Sequence, residues 1–301
     1  MHRRGHRDLI YPRILGHEVV GKVVRSRTDE AHEGSRVQVW PGSACGSCPV
    51  CMKGLDNLCP SVGVLGFNLD GGFAEMMAIP KGCVDRGGVN PVPDGLGSDV
   101  ASLAEPLACC INAQDSLGVG RGDSVAIIGG GPLGALHAML ARHRGANMVA
   151  VVETEAPRRA ILAHVDPDMV VDPKEGWHEI IREAQQGQGV DAILMATSAA
   201  PIDQGMIGLL APRGRLSIFS GLARESSVTS VDLNQLHYWE RSMVGSYGCR
   251  SADCKEALAL LANRSVDADW LITKRLALDR ILQGLAYAES RRGMKATVTG
   301  F

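Results

Sequence analysis

The amino-acid sequence predicts an α/β protein in which a doubly wound parallel sheet follows an irregular, β-rich module. Three observations predict it. At 301 residues the chain exceeds the size at which one hydrophobic core stops growing, so two packed units are expected. Up to residue 107, short β-type runs are separated by Gly, Pro and Asn, the pattern of a turn-rich all-β module. Beyond that point apolar runs of strand length alternate with helical spacing, the order that builds a parallel sheet with crossover helices.

In the first zone residues 19–24, 36–39 and 73–79 read as strands. The apolar spacing turns helical over 98–117. A strand follows at 124–128, a helix from 132 to about 145, a strand at 148–152 and a helix beginning near 156. Further strands are expected at 169–171, 191–196, 215–219 and 242–245. Residues 253–263 and 279–289 have amphipathic helical spacing, and 295–298 reads as a short terminal strand. No repeat of solenoid period is present. The organisation expected is a β-rich module over 1–107, a parallel-sheet domain over 108–247 and a C-terminal return to the first module over 248–301.

Composition narrows the function classes. With 45% hydrophobic and 21% charged residues the chain has enough apolar surface to fold, which excludes a low-complexity or disordered protein. Lys+Arg 31 against Asp+Glu 33 leaves a net charge of −2, so no global field points to nucleic acid or an anionic membrane. No apolar run approaches the ~18 residues that suggest a bilayer span, and the basic start has no apolar core of a secretion signal. A cytoplasmic protein with no membrane partner is expected. The string from His2 to Arg7 reads as a solvated charged edge, with a nucleic-acid tag as the alternative.

Nine cysteines without a secretion signal argue against a disulfide framework. Four of them, Cys45, Cys48, Cys51 and Cys59, have the spacing C-x2-C-x2-C-x7-C. Four thiolates can surround one tetrahedral Zn²⁺ at about 2.3 Å, and the intervening glycines and proline let the backbone wrap that closely. An iron–sulfur cluster is the rival reading. A site closed by four protein ligands leaves no position for substrate, so this metal staples a lobe and chemistry belongs elsewhere. Cys83, Cys109, Cys110, Cys249 and Cys254 show no such spacing and read as structural.

The strand at 124–128 leads into Gly129-Gly130-Gly131-Pro132-Leu133-Gly134, a G-x-G-x-x-G loop that opens a helix. In that context Gly129 makes the tight turn, Gly131 lets backbone N–H groups approach a pyrophosphate, and Gly134 lets helix pack on strand. The helix N-terminus adds a favourable dipole. The next strand ends in Glu153, 19 residues after Gly134, where a carboxylate accepts from ribose hydroxyls and repels a 2′-phosphate. NAD is therefore favoured over NADP, against which Arg158 and Arg159 stand close enough in sequence to reach a phosphate.

The four-cysteine lobe followed by this glycine loop resembles the zinc-containing medium-chain alcohol and polyol dehydrogenases, over essentially the whole chain. Gly16-His17-Glu18 is similar to that family's G-H-E motif, 70–75 to its D-G-G-F-A-E turn, and Glu105-Pro106-Leu107 to the E-P-L segment of its sorbitol- and threonine-dehydrogenase-like branch. His237 to Glu240 and Gly245 to Gly248 are similar to the same branch's last stretch of the dinucleotide fold. The resemblance implies a GroES-like domain beside a Rossmann domain, assembled as a homodimer or homotetramer. It also implies a second, catalytic zinc held by His17, with Glu18 a ligand or near neighbour and Glu105 giving a carboxylate to the metal or to its water. There an alcohol displaces water and passes hydride to NAD as the zinc-bound alkoxide. Without the resemblance, His17 reads as a surface or core histidine and Glu105 as a helix cap.

The pattern is broken in two places. The family carries a cysteine ligand and a proton relay in C-G-[S/T]-D-x-H upstream of the motif histidine, and counting back from His17 passes beyond Met1. A chain clipped at its N-terminus is expected, and as given it is expected to be a poor dehydrogenase. The strand near Asp191 runs into Ala196-Thr197-Ser198 where a glycine is usual, placing Thr197 beside the cofactor in a loop altered near the nicotinamide. The function expected is NAD- and zinc-dependent oxidation of a secondary alcohol. The candidate substrates are polyols, aminocyclitols, sugar alcohol phosphates and amino alcohols. The alternative is a zinc-stapled nucleotide-binding protein without dehydrogenase activity.

Overall fold

The computed structural model describes residues 8–222 and 227–300, so the basic string from His2 to Arg7 lies outside the described residues. The chain divides into two compact units. One comprises Met1–Ile111, Tyr247–Ala286 and Ala296–Phe301; the other comprises Asn112–Ser246 and Tyr287–Lys295.

The first unit is turn-rich. Strands β1 (Val19–Lys22) and β2 (Arg36–Val39) pair antiparallel, while β3 (Gly42–Ser43) and β4 (Gly63–Val64) make a two-residue ladder. Strand β5 (Val89–Pro91) pairs with β2 from the far edge; its proline, which has no N–H to give a ladder, is tolerated at such an edge. Residues 73–79, expected as a strand, form bends and irregular chain instead. Phe73 N–H still bonds to Leu15 O at 2.9 Å, but no strand among the described residues runs beside the rest of the alternating segment. The helical stretch expected over 98–117 is two helices, Ser98–Ala101 and Ala104–Leu117. Ser102 Oγ donates back to Asp99 O at 2.7 Å at the break, and Pro106 sits in the first turn of the second helix, where its missing N–H costs nothing.

In the second unit, β6 (Ser124–Ile128), β7 (Met148–Val152), β8 (Met169–Val171), β9 (Val190–Met195), β10 (Leu210–Ile218) and β11 (Ser242–Gly245) form one parallel sheet in the order β11-β10-β9-β6-β7-β8. Strands β6 and β7 are buried at every residue, as strands covered on both faces must be. On one face, Ala126, Ile128, Met148, Ala150 and Val152 share a core with Trp177, Ile181, Met206 and Leu209. The order runs outward from β6 in one direction and from β9 in the other, so the crevice at their carboxyl ends is the topological switch point at which such sheets bind ligands. Two further strands, β12 (Ile272–Ala277) and β13 (Lys295–Gly300), pair near the C-terminus. Among the described residues no helix is long and apolar enough to cross a membrane.

Candidate functional site

The glycine loop leaves β6 and enters helix Pro132–His143, with Gly131 as N-cap and Pro132 in the first turn. Gly129 has φ of +102°, which L side chains rarely adopt. A Cβ on Gly134 would lie 1.8 Å from Gly129 O, so glycine there lets the helix close onto the strand end. The registers Ile128↔Val152 and Ile128↔Met195 put Gly129, Glu153 and the 196–197 segment at one edge of three adjacent strands.

Glu153 is buried, and its carboxylate accepts from Gly130 N–H at 2.8 Å and from Glu155 N–H at 2.8 Å. It therefore clamps the loop. The Arg158 guanidinium lies 3.2 Å from where a Gly131 Cβ would be and donates to Gly293 O at 3.1 Å. Arg159 is turned to Asp172 at 3.0 Å and to the carbonyls of Glu153 and Thr154. Of the two arginines, Arg158 is the one whose guanidinium lies against the loop, and burial holds its pKa below the ordinary arginine value. Thr197 packs on Gly129, and its Oγ1 accepts from Ala199 N–H at 3.2 Å.

In the first unit the four lobe sulfurs converge. Cys45 and Cys51 are 4.0 Å apart, Cys48 and Cys59 3.9 Å, and Cys45 and Cys59 3.6 Å. These are the separations of donors around one ion about 2.3 Å from each sulfur; several irons would hold them further apart. Cys48 N–H points at Cys45 Sγ at 3.4 Å, and Cys45 N–H at Cys59 Sγ at 3.5 Å. The backbone N–H groups of Ser47 and Cys48 bring the Cys45 pKa down to about 6, whereas burial pushes Cys51 up to about 12. The donor set fits Zn²⁺. Buried Asp56 ties the lobe to helix Ser251–Ala262, accepting from Ser251 N–H at 3.1 Å and Ser251 Oγ at 2.6 Å.

His17, Glu18 and Glu105 each place one ligand atom within 4.8 Å of the others. The segment that carries His17 is pinned by the 70–73 turn: Asp70 accepts from Ile14 N–H and Arg13, and Gly71 and Gly72 donate to Ile14 O and Gly16 O. The His17 ring rests against Phe67 with centroids 5.0 Å apart. Glu105 projects from the first turn of helix Ala104–Leu117. Around His17 and Glu105 lies a cavity of about 150 Å³, lined also by Asn57, Phe67, Cys109 and Cys249.

Sequence reasoning did not place Cys109, Cys249 and Asn57 at this cavity. Cys109 donates to Glu105 Oε1 at 3.5 Å, and Glu105, Cys109 and Cys249 also place ligand atoms within 4.8 Å of one another. The hydrogen bond with Cys249, burial and the Glu105 charge hold the Cys109 thiol well above its ordinary pKa. The helical spacing of Glu105 and Cys109 was the one available signal; nothing in the sequence pairs them with Cys249 or Asn57.

A model of the zinc-binding dehydrogenases matches residues 132–263, and one of the alcohol dehydrogenase GroES-like domain matches residues 1–93. The chain is 30% identical over 281 residues to D-altritol 5-dehydrogenase of Agrobacterium fabrum, covering 91% of this chain and 80% of that protein. It is 28% identical over 300 residues to sorbitol dehydrogenase of Halalkalibacterium halodurans, covering 98% and 85%. A crystal structure of a zinc-binding dehydrogenase from Sinorhizobium meliloti bound to NADP superposes with TM-score 0.81 at 26% identity, over 97% of this chain and 83% of that one. The chain belongs to the zinc-binding alcohol dehydrogenase family, and its two units are the GroES-like and Rossmann-type folds of that family's oxidoreductases.

Proposed function

We propose that the chain oxidises a secondary alcohol bearing further hydroxyl or amino groups, with NAD as hydride acceptor. The observation that carries this reading is the convergence of His17, Glu18 and Glu105, two of which, His17 and Glu105, line one cavity, in a family whose members use zinc and nicotinamide dinucleotides. When bound, Zn²⁺ supplies Lewis acidity that lowers the pKa of the alcohol hydroxyl. His17, Glu18 and Glu105 are the residues that would hold it, and Phe67 and the Asp70 turn fix the direction from which His17 does so. In the net reaction the carbinol C–H passes a hydride to the nicotinamide C4, the hydroxyl proton leaves, and a ketone and NADH result.

Two observations support a polyhydroxy substrate. Asn57 lines the cavity, and its buried Oδ1 has no hydrogen-bond partner among the described residues; a second hydroxyl of the substrate can donate to it. Two of the relatives named above are, by their names, dehydrogenases of polyols.

NAD is the cofactor this reading favours, because the buried Glu153 carboxylate stands at the loop edge where a 2′-phosphate would meet its charge. Arg158, whose guanidinium lies against the same loop, is the residue that would favour NADP. A homodimer or homotetramer is the assembly proposed, which light scattering after gel filtration measures directly.

The test is NADH and NADPH formation over a panel of polyols, aminocyclitols and amino alcohols. Slow turnover with NAD on at least one of them is expected. Tight NADH binding with no turnover on any would refute the reading.

A further inference from the structure

We propose that Glu105, Cys109 and Cys249 form a cation site for thiophilic divalent ions in the same cavity, sharing Glu105 with His17 and Glu18. Glu105 and Cys109 are one helical turn apart on helix Ala104–Leu117 and so face the same way. Cys109 already directs its S–H at Glu105 Oε1, 3.5 Å away. Cys249 comes from a distant part of the sequence and is held in place by Trp40, whose indole N–H donates to Cys249 O at 2.9 Å. One ligand atom from each of the three lies within 4.8 Å of the other two, and all three residues line the cavity. An ion can therefore arrive through water and keep a water or substrate oxygen in a remaining position.

The chemistry of the two donor sets differs. His17, Glu18 and Glu105 offer one nitrogen and two carboxylates; Glu105, Cys109 and Cys249 offer one carboxylate and two sulfurs. Sulfur donors select zinc, cobalt or cadmium over magnesium, calcium or manganese. Binding converts two thiols to thiolates and releases two protons to solvent. Cys254, with its sulfur 3.8 Å from Cys249 Sγ, stands behind the set and can orient it, as outer partners of metal ligands do. Because Glu105 is common to both sets, an ion drawn to the cysteines competes with the His17 side for that carboxylate. Only this last consequence rests on the function proposed above.

Cobalt(II) tests the assignment. The full chain is prepared with zinc in the four-cysteine lobe, which cobalt, the weaker binder, leaves loaded. Cobalt is then titrated in while thiolate-to-cobalt charge-transfer absorption is followed, and the cobalt X-ray absorption edge reports its neighbours independently of the lobe zinc. The expected result is one cobalt with two sulfur neighbours. Cys109→Ala and Cys249→Ala should each remove one sulfur, and His17→Ala should leave both. Loss of even an outer partner of a ligand costs roughly 10–100-fold in metal affinity, so the double variant should bind cobalt about 100-fold more weakly or worse.

Cobalt bound through nitrogen and oxygen alone, or a charge-transfer band untouched in the double variant, overturns the assignment while leaving the alcohol oxidation standing. Failure to bind any cobalt beyond the lobe zinc overturns it as well. The unsubstituted chain decides the question if a variant does not fold. Circular dichroism and lobe zinc content identify such a variant, and Cys109→Ser provides a second substitution at that position.

Discussion

A Cβ on Gly134 would stand 1.8 Å from the carbonyl oxygen of Gly129. Helix Pro132–His143 and strand β6 can meet at their present distance only because residue 134 has no side chain. Gly134→Ala must push the helix away or distort the turn, and overpacking of this kind typically costs about 1–3 kcal/mol. The variant is expected to melt at lower temperature and to lose measurable NADH affinity, which a thermal melt and a fluorescence titration check.

Glu153→Ser removes the clamp on Gly130 N–H and, on the proposed reading, the ribose acceptor. Overall dinucleotide affinity is expected to fall, by about 10-fold or more for a charge-assisted hydrogen bond worth ~1.5–3 kcal/mol, while the ratio of NADP to NAD affinity rises. Arg158→Ala should move that ratio the other way. Titration of both cofactors against the three chains measures it, and equal NAD and NADP affinities in the unsubstituted chain would count against the role given to Glu153.

Removal of the lobe zinc is expected to destabilise the first unit selectively. The four cysteines and buried Asp56 connect the lobe to its surroundings, and free thiols this close cannot all ionise without a cation. Chelation should lower the melting temperature and increase proteolytic cutting within residues 40–64, with cofactor binding measured alongside. A fully folded preparation that contains no zinc would contradict this.

His137 is fully buried, its Nδ1 faces Gln114 Nε2 at 3.3 Å, and burial brings its pKa down to about 3. In the unfolded chain the ring protonates near the ordinary value of ~6.5. Between those values only the unfolded state gains the proton. This residue's contribution is therefore complete above ~6.5 and falls as the pH drops toward about 3, with a slope of up to ~1.4 kcal/mol per pH unit. Denaturant melts from pH 7 to pH 4 should show that slope, and His137→Gln, which cannot titrate, should flatten it.

Much of the second unit was legible because buried parallel strands are continuous apolar runs: 124–128, 148–152, 169–171 and 242–245 coincide with β6, β7, β8 and β11. The two-residue strands β3 and β4 carry no period to read. Residues 73–79 alternate like a strand but form bends and irregular chain, because no strand among the described residues runs beside them; the preceding Gly71 and Gly72 N–H groups bond to Ile14 O and Gly16 O. Spacing alone singled out the four lobe cysteines, whereas the glycine loop needed its strand–loop–helix context as well. Cys109 and Cys249 were read as structural because their approach to Glu105 depends on tertiary folding of segments far apart in the chain.

The measurement that tests the account most directly is the rate of NADH formation by His17→Ala and Glu105→Gln beside the unsubstituted chain, on whichever secondary alcohol of the panel turns over, with NADH affinity measured on the same preparations. Misplacement of a reacting group by ~1 Å already costs about 10²-fold. Both variants are therefore expected to lose at least about that much in kcat while binding NADH as before. Undiminished turnover in either variant would contradict the assignment of alcohol oxidation to the cavity that His17 and Glu105 line.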